Sequence, residues 1–96
     1  MLTKSTVNPD FLQTRYDELS IEEIETLKEF IATYFKKDYM RHRAYSLKQK
    51  MTRVTGIYIY QADMYRLMVD AGFRGYIADN GDHILFAQYN RLANKL

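Results

Sequence analysis

Residues 57–89 narrow the folding options of this chain more than any other stretch. A short apolar run, Ile57-Tyr58-Ile59-Tyr60, leads into Met64, Leu67, Met68 and Ala71, spaced i, i+3, i+4, i+7. That spacing predicts a helix from Gln61 to Ala71. Gly72 suits the left-handed position that closes a helix, and Phe73 behind it can pack back on the last turn. Asn80-Gly81 then predicts a hairpin with a two-residue type I′ turn, because both residues tolerate positive φ. Such a turn sets Ala78 opposite His83, Ile77 opposite Ile84, and Gly75 opposite Phe86, and assigns Ile77, Ile84 and Phe86 to the core face. The run at 57–60 is too short for a helix and reads as a short strand or extended turn between two helices.

The preceding chain is mostly helical in pattern. Residues 1–8 are a lead-in. Pro9-Asp10 opens a short helix with Phe11, Leu12, Tyr16 and Leu19 as its apolar side. Ser20-Ile21-Glu22-Glu23 is a capping-box pattern, with Leu19 and Ile24 placed for a hydrophobic staple. The helix behind it is expected to run to about Lys37, burying Ile21, Ile24, Leu27, Ile31, Tyr34 and Phe35. Its early glutamates and its late Lys36 and Lys37 both suit the helix dipole. Residues 38–43 form a turn or begin the next helix. Ala44, Leu47, Met51 and Val54 mark that helix, which Thr55-Gly56 ends. Residues 90–96 are a tail or a short final helix. The expected architecture is a single α+β domain over residues 1–96. It has an acidic N-terminal helical extension (1–19), a winged-helix-like core ending in a β-hairpin wing (20–89), and a tail.

Ninety-six residues with 47% hydrophobic content suffice for one modest core. The absence of cysteine excludes disulfides, thiolate metal sites and a cysteine nucleophile. No apolar run approaches the ~20 residues of a membrane span, and the first residues lack a signal-peptide segment. The expectation is therefore a cytoplasmic protein that makes no membrane contact. His42 and His83 are far apart with no acidic partner at ligand spacing, so no metal and no other cofactor is expected. No catalytic constellation or phosphate-binding glycine loop is present, which argues against an enzyme. Asp79-Asn80-Gly81-Asp82 lacks the later glutamate of a calcium loop and reads as turn chemistry.

Charge divides the chain. Residues 1–35 hold three basic and seven acidic residues, and residues 36–96 hold eleven basic and five acidic ones. Lys36, Lys37, Arg41, Arg43, Lys48, Lys50 and Arg53 fall within eighteen positions. On paired helices such residues contact phosphates while the second helix reads a groove. Lys48 and Lys50 are expected on the face away from Leu47 and Met51. The outward side of the second helix is expected to carry Gln61, Asp63, Tyr65, Arg66, Val69 and Asp70, of which Gln61 and Arg66 suit bases or phosphates. Asp63, Asp70 and an acidic wing tip oppose groove docking. Tyr39, Tyr45, Tyr58, Tyr60 and Tyr65 lie among the cations, as in single-strand binders, where aromatics stack bases. Tyrosine and arginine are equally the residues of protein–protein hot spots. The bland reading is a solvated helix face with tyrosine hydroxyls at the surface.

Tyr45-Ser46-Leu47-Lys48, Gly56-Ile57-Tyr58-Ile59, then Met64, Met68 and Ala71-Gly72-Phe73 resemble a pattern found in small accessory proteins of phages and mobile elements in Gram-positive bacteria. The pattern is also similar to the C-terminal winged helix of phage-type primase-helicases. It covers residues 44–89, consists mostly of core and turn positions, and carries no catalytic residue. Met64 stands where those proteins often have an aromatic. The resemblance implies a winged helix and a phage or mobile-element origin in a bacterial host cell.

These readings converge on a non-enzymatic nucleic-acid-binding accessory protein, with DNA as the expected partner. The alternative is a protein-binding module, such as an adaptor or an inhibitor of the anti-restriction or anti-CRISPR kind. A third is a homodimer or larger homo-oligomer joining acidic and basic ends. Phosphate binding predicts basic residues converging beside the helix at 61–71. A protein partner predicts an exposed apolar-aromatic patch or a continuous acidic face mimicking nucleic acid. Self-association predicts Phe11, Phe30 or Phe35 left uncovered.

Overall fold

A computed structural model describes residues 9–96, so the lead-in at 1–8 lies outside the described residues. Two 3-10 turns, Pro9–Leu12 and Tyr16–Glu18, stand where a short helix was expected. The segment is too short to sustain a helix without a capping side chain. Helix α1, Ile21–Tyr34, begins at the anticipated box. The Ser20 hydroxyl accepts from the Glu23 N–H at 3.0 Å, and the Glu23 carboxylate accepts from the Ser20 N–H at 2.9 Å.

Helix α1 stops three residues before the expected Lys37 because Phe35 turns extended. Asn90 receives this end, its N–H donating to the Tyr34 carbonyl at 2.8 Å and its side-chain amide to the Thr33 carbonyl at 2.9 Å. Carbonyls that would otherwise lack partners are thereby satisfied from the far end of the chain. Lys36 and Lys37 therefore leave the helix.

The segment expected to turn or open a helix is instead strand β1, Phe35–Arg43. It pairs antiparallel with β3, His83–Tyr89. Its register runs from Phe35 opposite Tyr89 to Lys37 opposite Ala87, and resumes with His42 opposite Leu85. Between those pairs β1 takes five steps and β3 two, so residues 38–41 bulge from the sheet. Phe-Lys-Lys-Asp-Tyr-Met-Arg-His-Arg has no apolar alternation and buries only Phe35, so hydrophobic period could not disclose it.

Helix α2 is Ala44–Thr55 and α3 is Gln61–Asp70. Residues 57–60 pair with no strand among the described residues and form the extended turn, with Ile59 fully buried. At the end of α3 the Gly72 N–H donates to the Val69 carbonyl and the Phe73 N–H to the Met68 carbonyl. With Gly72 at φ 98°, this is the expected left-handed closure.

Strand β2, Gly75–Ile77, completes a three-stranded antiparallel sheet in the order β1-β3-β2. The hairpin register is one residue from the expected one: Gly75 faces Leu85, Tyr76 faces Ile84, and Ile77 faces His83. The loop has three residues, not two. The Gly81 N–H donates to the Ala78 carbonyl, and the Ala78 N–H to the Asp82 carbonyl, both at 2.8 Å. Gly81 alone in the loop has positive φ, 91°, which makes a turn followed by a glycine bulge. One residue of slip exchanges the faces of a strand. Leu85 and Ala87 therefore enter the core, while Ile84 and Phe86 face outward; Ile77, opposite the buried His83, is nonetheless exposed at the end of β2.

Leu27 and Ile31 of α1, Leu47 and Met51 of α2, Met64, Leu67 and Met68 of α3, and Leu85 and Ala87 of β3 form the core together with Ile59. Phe30 and Phe35 are buried in it, and Phe11 is half-buried. Ile21 and Val54, expected on the inner faces, are exposed at helix ends. The C-terminal residues form a 3-10 turn, Arg91–Lys95, that buries Ala93. No helix among the described residues is long and apolar enough to cross a membrane.

Candidate functional site

The basic cluster of the sequence does not form one patch. Lys36, Lys37 and Arg41 are exposed on β1, and Arg41 donates to the Tyr76 hydroxyl at 3.2 Å. Arg43 pairs with Asp82 at 2.6 Å. Lys50 turns to the C-terminal residues, donating to the Ala93 carbonyl at 3.3 Å with the Tyr89 ring 5.2 Å away. Burial pushes the Tyr89 phenol up to about 12, and its hydroxyl donates to the Leu47 carbonyl. Arg53 is exposed in the last turn of α2.

Lys48 departs most from expectation. It is 5% exposed, on the inner side of α2. Its ammonium lies 5.2 Å from the Tyr45 ring centroid and 5.0 Å from that of Tyr58. Burial lowers its pKa, since a low-dielectric setting disfavours the charged form. No carboxylate among the described residues pairs with it.

The outward face of α3 is also smaller than expected. Gln61 is 4% exposed and Asp63 1%. Asp63 is a hub: its carboxylate accepts from the backbone N–H groups of Tyr60 (2.9 Å), Arg15 (2.9 Å) and Tyr16 (3.1 Å), and from the Thr14 hydroxyl. A buried carboxylate must be paired or fully hydrogen-bonded, and the N-terminal segment supplies most of the donors. The same segment covers the start of α3. The Arg15 guanidinium donates to the Tyr58 carbonyl at 2.6 Å, and Tyr16 lies under Arg66, whose guanidinium carbon is 3.6 Å from the ring centroid. Arg66, Val69 and Asp70 remain exposed, and Tyr65 is half-buried with its ring 5.3 Å from that of His83.

Five of the anticipated residues do converge. Arg43, Tyr45, Lys48, Tyr58 and Gln61 line a cleft of about 540 Å³ between the N-terminal segment, α2 and the start of α3. Phe11, Gln13 and Tyr60 complete it. Phe11 and Gln13 escaped sequence reasoning because they are over thirty positions from α2. Tyr60, one of the tyrosines expected around the basic stretch, meets the Tyr58 ring edge to face at 5.2 Å. The volume falls within the ~300–1,000 Å³ of small-ligand sites.

Tyr39 lies outside this cleft. It is 99% exposed on the β1 bulge, beside an exposed Met40. With Lys37, Arg74 and Phe86 it borders a second cavity of about 420 Å³. His42 sits on the same strand, its Nδ1 4.0 Å from Asp38. His83 is buried elsewhere, and the described residues include no group of three or more metal-ligating side chains. Comparison with protein-family models, curated proteins and solved structures finds no match.

Proposed function

We propose that the chain is a non-enzymatic nucleic-acid-binding accessory protein with a winged-helix-like core, and that its cleft receives single-stranded nucleic acid. The element order α1-β1-α2-α3-β2-β3 and the sheet order β1-β3-β2 support the fold reading. The observation that carries the function is Lys48, a largely buried residue whose ammonium lies 5.2 and 5.0 Å from the Tyr45 and Tyr58 ring centroids, without a carboxylate partner among the described residues and with Arg43 lining the same cleft. Buried charge calls for a counter-charge, and a phosphate supplies one. The aromatic walls offer surfaces on which an unpaired base can stack.

Groove docking through α3 has weaker support. The N-terminal segment covers the start of that helix, and Gln61 and Asp63 point inward. A phage or mobile-element origin in the bacterial cytoplasm belongs to this proposal and rests on the resemblance of residues 44–89. A second reading, a protein-binding module, is favoured by the β1 bulge, where Tyr39 and Met40 stand exposed.

The test is an anisotropy titration with single- and double-stranded DNA at two salt concentrations, beside Lys48→Met. Methionine keeps the aliphatic stem and removes the charge. Salt-sensitive binding that prefers the single strand and weakens about tenfold or more in the variant is expected, one phosphate contact and its stacked base being lost. No binding at low salt removes the nucleic-acid reading and leaves the bulge as the better-supported surface.

A further inference from the structure

Alternation along β3 gives the sheet two faces. Leu85 and Ala87 point into the core, and Ile84, Phe86 and Gln88 point away from it. The register extends this outer face across the sheet. Ile84 lies between Tyr76 of β2 and Arg43 of β1, and Gln88 lies opposite Lys36. The Phe86 N–H donates to the carbonyl of Arg74, just before β2, at 2.9 Å. The β1 bulge reaches over the same face. Arg41 spends one of its five N–H donors on the Tyr76 hydroxyl, with β3 lying between the two strands. Lys37, Asp38, Tyr39, Arg74 and Phe86 line the cavity of about 420 Å³ beside it.

Charge on this surface is one-sided. Lys36, Lys37, Arg41 and Arg74 are all exposed, and none forms a salt bridge among the described residues. One carboxylate lines the cavity, that of Asp38; its side chain is only 16% exposed and lies 4.0 Å from His42 Nδ1. Asp82 is taken by Arg43. Exposed cations of one sign fit a polyanion by charge complementarity. The surface also adjoins the cleft. Arg43, which lines the cleft, stands opposite Ile84, and Lys37, which lines the second cavity, stands opposite Ala87. Those register positions are three residues apart on β3, about 10 Å of antiparallel strand. Resting on the single-strand reading above, we propose that the nucleic acid held at Lys48 runs on across the outer face of the sheet, its phosphates following Lys37, Arg41 and Arg74.

The test uses single-stranded DNA of two lengths, about four and about twelve nucleotides, within the range of single-strand site sizes. Anisotropy is measured over a salt series for the wild type, Lys37→Ala/Arg74→Ala and Lys48→Met. Lys37 and Arg74 are exposed and lie outside the cleft, so the double variant is expected to keep its fold and its short-strand affinity. The long strand is expected to bind it about tenfold more weakly at low salt, with the slope of log K against log salt shallower by about 1.4, for two phosphates lost. Lys48→Met weakens both lengths. An unchanged long-strand affinity and slope in the double variant, or equal weakening of both lengths, overturns the path across the sheet while leaving binding at the cleft in place. Failure of the wild type to bind either length overturns both readings.

Discussion

His83 shows how one buried side chain ties the wing to α3. It lies at the start of β3, its backbone N–H and ring both facing the Gln61 carbonyl oxygen, with the Tyr65 ring alongside. Burial lowers its pKa, and the neighbouring Asp82 charge, itself shared with Arg43, offsets part of that. A histidine whose folded pKa lies below its unfolded value binds fewer protons in the native state. Stability is then full above the unfolded value and declines as pH falls through it, until the folded pKa is passed. Urea unfolding is therefore expected to show a lower midpoint at pH 5 than at pH 7. His83→Gln flattens that slope. An equal slope in the variant would assign the dependence to other groups.

At the level of single elements, the hairpin depends on a close approach that glycine permits. A Cβ on Gly75 would stand 2.5 Å from the Ile84 carbonyl oxygen, 2.9 Å from the Tyr65 ring and 3.0 Å from Leu85. Backbone cannot yield as a side-chain tip does, so Gly75→Ala is expected to cost about 2 kcal/mol by overpacking, read from denaturant midpoints at constant m. Local chemistry located several boundaries well. Ser20 and Glu23 marked the start of α1, Gly56 ended α2, and Gly72 ended α3. It misjudged the hairpin loop because Asn-Gly serves both a two-residue turn and the last two positions of a three-residue loop. Strand β1 had no local sign, since an edge strand bulged over four residues needs only Phe35 in the core and a partner for its backbone.

Over the full fold, the N-terminal segment behaves as part of the domain and not as an appendage. Thr14, Arg15 and Tyr16 donate to the buried Asp63 carboxylate, and Phe11 closes one wall of the cleft. Deleting residues 1–18 is expected to destabilise the remainder and to weaken single-strand binding. In the shortened chain Asp63→Ala should cost about 2 kcal/mol less than in the full chain, the coupling of residues that share one network. Additive effects in that cycle would mean the segment only rests on α3. Hydrophobic period and capping chemistry were sufficient to find three helices, a hairpin and a cationic, tyrosine-rich middle, because those signals act over one or two turns of chain. Burial of Lys48, Gln61 and Asp63, the pairing of β1, and the meeting of Phe11 with Tyr45 and Tyr58 depend on contacts between distant residues. Each is set by partners elsewhere in the chain, and no local pattern encodes which partner arrives.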